Sequence, residues 1–183
     1  MSVMNRIDSA FWTGFLLVLV SLPFFSFAQT TPPPQVPDAI KAPAGQEVVL
    51  VAHATGVQIY ACTAGSDGKF AWTLKAPDAE LHDSKGSVIG HHSAGPTWTL
   101  KDGSAITGKA AAKADSPEQD SIPWLLINVV SHSGSGELDR ITTVQRVNTH
   151  GGAAAATGCD ASHQGSETKQ NYKADYYFYA PAR

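Results

Sequence analysis

The chain has 183 residues, of which 43% are hydrophobic and 16% are charged, and its formal net charge is −3. This length fits one globular domain that buries a sizeable core. A mildly acidic chain with no basic stripe lacks the electrostatic attraction that nucleic-acid binding requires, so we expect no nucleic-acid partner.

The first 28 residues have the pattern of a removable secretory signal peptide. Arg6 supplies the positive charge, residues 10–22 form a short apolar run, and Ser26 and Ala28 are the small residues before the expected cleavage. The run is too short and broken for a comfortable membrane span, although a retained anchor is the alternative. We therefore expect export to the periplasm or the secreted space, with no stable membrane anchor after cleavage.

Residues 29–38 follow as a proline-rich linker, which we expect to be extended. Beyond it, glycine-containing turns recur at short intervals between runs of β-branched and aromatic residues. This spacing predicts a single β-rich domain over residues 39–183. The fold class is mainly β, an antiparallel sandwich or barrel with short helical or irregular insertions.

Eight segments are predicted strands because they combine β-branched or aromatic residues with alternation or flanking turns. In chain order they are 47–53, 56–63, 70–75, 87–91, 97–101, 104–107, 124–131 and 171–179. The run 124–131 is apolar on both faces and indicates a central buried strand, with a short buried helix as the alternative.

Three other segments are ambiguous. The alanine-rich runs 109–114 and 153–156 are interpreted as short helical turns, since nearby glycine and proline leave no room for a long helix. Residues 137–147 carry an apolar residue at every third position, which fits a helix, but β-formers dominate the segment. We interpret it as a strand with a bulge.

The only two cysteines of the chain are Cys62 and Cys159. Export places both in an oxidising compartment, where an even count favours a disulfide bond, and a pair of buried free thiols is the alternative. Neither cysteine lies in a CxxC motif, so redox catalysis is not predicted.

Motifs for known cofactors are missing from the sequence. There is no GxGxxG and no HExxH, and the glycine-rich segment 103–109 lacks the serine or threonine that a phosphate-binding loop needs for magnesium. We therefore expect no cofactor and assign no catalytic residue. The seven histidines leave a metal-handling protein as an alternative, but the adjacent His91 and His92 would point to opposite faces of a strand, so no metal site is assigned.

Aromatic side chains are the stronger indication of binding, because exposed rings stack on sugars and other flat ligands. Tyr177 and Tyr179 share a strand face with Lys173 and Asp175, which predicts that this face is exposed to solvent. The face is therefore the first candidate for a ligand platform. Arg146 and Asp175 are charges between apolar neighbours, and we expect both to face water, with a ligand contact as the alternative.

Several segments together resemble a family of exported bacterial and fungal proteins of unknown function, domain of unknown function 3455. The matching stretches run in one order over nearly the whole chain after the leader: GVQIYAC (56–62), Trp72 with APDA (76–79), GHHSAGPTW (90–98), DGS (102–104), IPWLL (122–126), QRVNTHGG (145–152) and YKADYYFY (172–179). The resemblance implies a single secreted domain with the Cys62–Cys159 pair, and it carries no activity, cofactor or catalytic residue.

Because of this resemblance, the polar residues inside these segments are candidate binding residues. With the aromatic candidates they give the predicted binding set: His92, Trp98, Asp102, Arg146, Asn148, Thr149, Tyr177 and Tyr179. For the residues at 146, 148 and 149, which precede a double glycine, the favoured alternative is that they hold the turn. The function expected is a binding module for a small molecule or glycan. An enzyme in which His92, Asp102, Arg146 and Asp175 converge is the alternative.

Overall fold

In the computed structural model of the chain, Met1 and residues 31–183 are described. Apart from Met1, the predicted signal peptide therefore lies outside the described residues, and so do the first two residues of the linker. Residues 31–37 have no regular secondary structure and lead into a 3-10 turn at Asp38–Ile40.

The mainly β fold is confirmed. The strands are β1 (Gln46–Ala64), β2 (Phe70–His82), β3 (Val88–Ser93), β4 (Thr97–Leu100), β5 (Ala105–Ala114), β6 (Trp124–Ser133), β7 (Thr143–Gly151) and β8 (Glu167–Pro181), with a second 3-10 turn at Ala161–His163. Over the described part of the chain, no helix has the length and apolar character needed to cross a membrane.

The eight strands form a closed antiparallel barrel in which each strand pairs with its neighbours in sequence. The long first strand closes it by pairing with both β2 and β8. The two separate strands predicted at 47–53 and 56–63 are therefore one strand that continues through Gly56. A Cβ atom at Gly56 would lie 2.2 Å from the Asp78 carbonyl oxygen, so the close approach of β2 requires glycine here.

Strand alternation separates the barrel interior from its outer wall. In β8, Tyr172, Ala174, Tyr176 and Phe178 are buried and belong to the core, while the alternate residues are exposed or half-buried up to Tyr177. The rings of β8 face small residues on the neighbouring β1, since Tyr176 pairs with Ala52. Large residues opposite small ones fill the barrel without overpacking it.

The end of the barrel nearest the β6–β7 connection is plugged by that connection. Leu138 and Ile141 are fully buried in the core although neither lies in a strand. The prediction of a bulged strand over 137–147 is therefore wrong for its first half, and β7 begins only at Thr143. The spacing of three residues reflects a loop whose apolar side chains enter the barrel end.

The alanine-rich segments also differ from their interpretation as helical turns. Residues 109–114 complete strand β5 and pair with β6, and residues 153–156 form no helix. Backbone pairing with β6 outweighs the intrinsic helix preference of alanine, which is a weak term for so short a run.

The β3–β4 hairpin is much shorter than the strands beside it, and this leaves an opening in the barrel wall. Of β2, only residues 79–82 pair with β3, and β5 pairs with β4 only at residues 105–107 and through the Gly108 amide to the Pro96 carbonyl. Within the described residues, the remaining edges of β2 and β5 therefore have no strand between them. We call this opening the window, bounded by residues 74–77, 95–96 and 109–114.

The predicted disulfide is confirmed between Cys62 and Cys159, whose Cα atoms are 5.3 Å apart. It fixes the β7–β8 loop, residues 152–166, to the end of β1. The Trp72 indole N–H also donates to the Thr157 carbonyl oxygen at 2.9 Å, which holds the same loop to β2. The loop is therefore tied down at one end of the barrel, beside the window strand β2.

Candidate functional site

A cavity of about 410 Å³ lies inside the barrel behind the window, and we call it the barrel cavity. It extends from the exposed Leu74 and Lys75 at the surface to the buried His92, Trp98 and Tyr176 in the interior. The complete lining is Gln58, Leu74, Lys75, Ala76, Pro77, His92, Gly95, Pro96, Trp98, Ala110, Leu125, Ile127, Arg146 and Tyr176. Its size falls in the range of small-molecule sites, roughly 300–1,000 Å³.

Three rings form the inner wall of the barrel cavity. His92 and Trp98 are a ladder pair of the β3–β4 hairpin, and their rings stack with centroids 4.5 Å apart and planes inclined by 12°. Tyr176 from β8 meets both rings edge-on, at 5.1 Å from His92 and 5.5 Å from Trp98. Hairpin and β8 lie on different sides of the barrel, so the interior brings together rings that are far apart in sequence.

The His92 ring is neutral and has a defined tautomer. Its Nδ1 lies 2.9 Å from the Thr97 carbonyl oxygen, and because a carbonyl only accepts, Nδ1 carries the hydrogen. Nε2 is then the basic nitrogen, with its lone pair available as an acceptor. Burial lowers the pKa of His92 to about 3, so the ring stays uncharged at physiological pH.

Arg146 is the most unusual residue of the site, because it points into the barrel and only 9% of it is exposed. The expectation that Arg146 faces water is wrong. Its Nε and Nη2 donate to the Pro123 carbonyl oxygen at 3.2 and 2.8 Å. Within residues 31–183, Arg146 forms no salt bridge with a carboxylate.

Four buried polar atoms at the barrel cavity form no well-formed hydrogen bond among the described residues: Gln58 Nε2, Trp98 Nε1, Tyr172 Oη and Tyr176 Oη. Three of them belong to lining residues, and the Tyr172 hydroxyl is close enough to Gln58 and Tyr176 for weak hydrogen bonds that influence its pKa. A buried polar group without a partner costs about 1–3 kcal/mol. Their concentration at one cavity indicates a place where a ligand or water completes the bonding.

Burial keeps the two tyrosine hydroxyls of this group protonated. Desolvation raises the pKa of Tyr176 and of Tyr172 above the ordinary value of 10, and the positive charge of Arg146 opposes the rise in both. At neutral pH both hydroxyls therefore remain O–H donors. With the arginine, they give this part of the barrel cavity a surplus of donors over acceptors.

The charge of the lining is positive. Its two ionisable cations are Lys75 and Arg146, and none of the lining residues carries a carboxylate. Lys75 lies at the surface and forms an ion pair with Glu167, so its charge is compensated and exposed to water. Arg146 is therefore the uncompensated charge of the interior.

The remaining polar residues of the predicted set lie elsewhere. Asp102 is at the β4–β5 turn, where its carboxylate accepts from the amides of Ser104 and Glu137 at 2.8 Å each. These bonds hold the pKa of Asp102 below its ordinary value. Thr149 is buried and donates to the Ile122 carbonyl oxygen at 2.6 Å. Both residues position connections between strands.

Asp175 and Asn148 lie on the outer wall of the barrel. Asn148 has a φ of 50° in the bulge of β7, and its amide donates to Asp175 at 2.8 Å. The other oxygen of Asp175 lies 2.6 Å from His53 Nδ1. The structure thus brings His92 and Arg146 together in the barrel cavity, but it places Asp102 and Asp175 outside it.

The aromatic platform predicted from β8 is not an open face. Tyr177 is half-buried, and Tyr179 is 2% exposed with its hydroxyl donating to Gln145 Oε1. Gln145 Nε2 in turn donates to the Ile40 carbonyl oxygen at 2.5 Å. Residues near Ile40 therefore cover the outer wall at this point, and Tyr179 anchors them.

Sequence reasoning missed Gln58, Tyr172 and Tyr176 as members of the site. The ligand platform was predicted on the opposite face of the strand, with Tyr177 and Tyr179, so the face that carries Tyr172 and Tyr176 was left out of the predicted binding set. In a barrel with a cavity, however, the inward face of the strand also lines the cavity. The available signal was the Gln58 side chain on the inward-facing register of β1, a polar residue among alanines and Gly56.

Two other features of the described residues are less suited to a site. Residues 31–183 contain no group of three or more His, Cys, Asp or Glu side chains arranged to hold a metal ion. A wider depression of about 700 Å³ crosses the outer wall. Its lining consists of Thr55, Gly56, Val57, His150, Asn171, Tyr172 and Lys173. Most of these residues are exposed or half-buried, and the depression lacks a buried charge.

Comparison with known proteins agrees with the resemblance noted in the sequence. No curated protein and no solved structure matches the chain. A family model described as protein of unknown function (DUF3455) matches residues 43–180, which include all eight strands apart from the last residue of β8. Because this match covers most of the 183 residues, the chain belongs to the DUF3455 family.

Proposed function

We propose that this protein is a binding module that takes up one small molecule in the barrel cavity through the window. Eight-stranded antiparallel barrels either fill their interior with side chains or hold one small ligand there, and this barrel retains a cavity of about 410 Å³. The cavity supplies an apolar and aromatic wall with a few converging polar groups, which is the usual composition of a ligand site.

The observation that carries the proposal is the uncompensated charge of Arg146. Burying a cation away from water is costly unless it is paired, so a fold that keeps one beside a cavity retains it for a reason other than stability. The buried donors around it that lack a well-formed hydrogen bond add to that cost. A bound molecule that accepts hydrogen bonds from these groups would offset both terms.

Binding is favoured over catalysis by the state of His92. A base whose conjugate acid has a pKa of about 3 draws a proton weakly at neutral pH, where efficient general bases have pKa values near the operating pH. The carboxylates Asp102 and Asp175 lie outside the barrel cavity, so they cannot assist it there. The enclosed shape also favours a small molecule over an extended glycan, which requires an open groove.

The same proposal includes export. The leader pattern of residues 1–28 supports it, and so does the Cys62–Cys159 bond, because disulfides persist in oxidising compartments. We propose that the mature protein acts in the periplasm or the secreted space. Sequencing of the N-terminus of protein recovered from that compartment should begin at Gln29, and retention of residues 1–28 would contradict this part of the proposal.

The experiment is a binding screen with a matched pair of variants. Wild-type protein is equilibrated with a library of neutral and charged small molecules, and complexes are counted by native mass spectrometry. Ala110 and Ala111 are both exposed on β5, but only Ala110 lines the barrel cavity, at the window. Ala110→Trp should therefore abolish binding of the retained compounds, and Ala111→Trp should preserve it.

Two outcomes would overturn the proposed function. One is that no compound of the library is retained by the wild type. The other is that Ala110→Trp binds the retained compounds as well as Ala111→Trp does, since the ligand would then lie outside the barrel cavity. Near-ultraviolet circular dichroism of both variants checks that each is folded.

A further inference from the structure

We infer that the ligand of the barrel cavity is a small organic monocarboxylate, bound with its carboxylate on Arg146 and its apolar body directed toward the window. This inference rests on the proposed function and specifies the chemical class of the ligand. It follows from the charge, the arrangement of donors and the composition of the cavity wall.

The guanidinium of Arg146 has hydrogen-bond donors to spare for a ligand. A guanidinium has five N–H bonds in a planar fork. Two of them are used on the Pro123 carbonyl, one from Nε and one from Nη2. The guanidinium also lies near enough to the Tyr176 hydroxyl for a weak hydrogen bond that lowers the pKa of that tyrosine, which leaves two of its N–H bonds without a partner among residues 31–183. The bond to Pro123 fixes the orientation of the group. The free part is suited to a carboxylate, which arginine binds with two parallel hydrogen bonds.

Neutral hydrogen-bond donors lie next to the Arg146 guanidinium. The hydroxyls of Tyr172 and Tyr176 and the Gln58 amide nitrogen are buried and form no well-formed hydrogen bond among the described residues. Only weak hydrogen bonds link Tyr172 to Gln58 and Tyr176, and Tyr176 to Arg146, and these shift the tyrosine pKa values. A carboxylate has about four lone-pair positions and accepts hydrogen bonds only, so it matches a cluster of donors. A ligand cation would be repelled by the positive charge of Arg146 and would face hydrogen-bond donors where it needs acceptors.

The lining of the barrel cavity offers a single unpaired positive charge to a ligand. Arg146 is the single buried cation of the lining, and the other cation, Lys75, is exposed and paired with Glu167. One charge balances a carboxylate. A phosphate monoester carries close to two negative charges at neutral pH, which would leave one uncompensated inside the barrel. The balance therefore favours a carboxylate over a phosphate.

The cavity wall between Arg146 and the surface is mainly apolar. Leu74, Pro77, Pro96, Leu125 and Ile127 contribute apolar surface to the lining. The stacked rings of His92 and Trp98 add a flat wall. A ligand with one ring or a short hydrocarbon body would bury its apolar surface there, at about 25 cal/mol per Å² removed from water.

The test compares isosteric pairs that differ in charge. Titration calorimetry is carried out with a panel of carboxylates of one or two rings and the matching carboxamides, beginning with benzoate and benzamide. Each carboxylate should bind the wild type at least about 10-fold more tightly than its carboxamide, because a charge-assisted hydrogen bond contributes roughly twice as much as a neutral one.

The variant Arg146→Gln should reduce the ratio of the two affinities to near 1. Arg140→Gln is the matched control, since Arg140 is an exposed arginine that donates to the Pro181 carbonyl and lies away from the lining. The ratio measured with the wild type needs no variant, so the inference stays testable if Arg146→Gln does not fold.

The outcomes separate the two proposals. Equal affinity for the members of each pair, with loss of both in Ala110→Trp, overturns the carboxylate inference and leaves the binding function intact. An unchanged ratio in a folded Arg146→Gln protein also overturns it. Failure of every pair to bind, together with an empty library screen, overturns both.

Discussion

His92 and Trp98 occupy opposite positions of one short hairpin and stack at 4.5 Å inside the barrel, so the histidine is buried as a neutral ring. Burial lowers the pKa of His92 to about 3 from its ordinary value of 6.5. Between these values the unfolded chain binds a proton that the folded protein does not. The stability that depends on the neutral ring is therefore complete above pH 6.5 and is lost as the pH falls toward 3.

We expect the free energy of unfolding to decrease as the pH falls from 6.5 to 3, with a slope from His92 of up to about 1.4 kcal/mol per pH unit. His92→Phe preserves a ring against Trp98 and should reduce the slope. His91→Gln is the control, because His91 is the adjacent exposed histidine, beside Asp78. Chemical denaturation at a series of pH values measures the slopes, and an equal slope for His92→Phe and wild type would contradict the assignment.

Adjacent residues of β7 should respond oppositely to the same substitution. Arg146→Met removes two hydrogen bonds to the half-buried Pro123 carbonyl, but it also removes a buried cation without a carboxylate partner in residues 31–183. Because relief of the buried charge offsets the lost bonds, the free energy of unfolding should be unchanged or up to about 2 kcal/mol higher when no ligand is present. Gln145→Met removes two hydrogen bonds, to Tyr179 and Ile40, and should lower it by about 2 kcal/mol. Denaturation in guanidinium chloride compares the two. A large loss in Arg146→Met would indicate a structural role for the arginine.

Tyr179 and Tyr177 should differ although both lie on the outward register of β8. Tyr179→Phe leaves the buried Gln145 Oε1 without its donor, at an expected cost of about 1–3 kcal/mol. The Tyr177 hydroxyl makes no recorded hydrogen bond among the described residues, so Tyr177→Phe should change stability by less than about 0.5 kcal/mol. Thermal denaturation of both variants measures the difference. Equal effects would show that the anchor to Gln145 is unimportant.

Gly108 should tolerate no side chain. A Cβ atom there would lie 2.5 Å from Ile127 Cγ2 and 3.0 Å from Trp98 Cζ3, so Gly108→Ala should destabilise the fold by about 1–3 kcal/mol through overpacking. It should also displace Trp98 and change the near-ultraviolet circular dichroism. Gly65→Ala is the control, because its Cβ would meet chiefly the flexible Asp67 carboxylate. An unperturbed Trp98 signal in Gly108→Ala would argue against tight packing at this wall.

Reduction of the disulfide should lower the free energy of unfolding by about 2–4 kcal/mol, since the bond closes a long loop between residues separated by 97 positions. The variant with both Cys62→Ala and Cys159→Ala should show a similar loss and no further response to reductant. Denaturation with and without dithiothreitol measures both effects. A reductant response that persists in the double variant would show that it does not arise from this bond.

The strands and the disulfide were accessible from sequence because local signals are sufficient for them. Alternation in 171–179, turn glycines and an even cysteine count behind a predicted leader each point to one structure. The outcome differed where tertiary contacts decide. Residues 137–142 carry β-formers but enter the barrel end as a plug, and the alanines at 109–114 extend a strand because β6 lies beside them.

The candidate site was predicted only in part, for a related reason. His92, Trp98 and Arg146 were identified from the residues and from the family resemblance. Whether a side chain points into a barrel or away from it depends on strand register, and the bulge at Asn148 and Thr149 changes the register within β7 itself. The sequence therefore identified the arginine without locating it inside the barrel.

The short β3–β4 hairpin also has a consequence for self-association. Closing a sheet into a barrel normally removes exposed strand edges, which are sites of aggregation, but the window restores two of them. Each carries residues that discourage pairing with another chain: Lys75 and Pro77 on β2, and Lys109 and Lys113 on β5. The window therefore combines open strand edges with charge and proline, which oppose edge-to-edge pairing between copies of the chain.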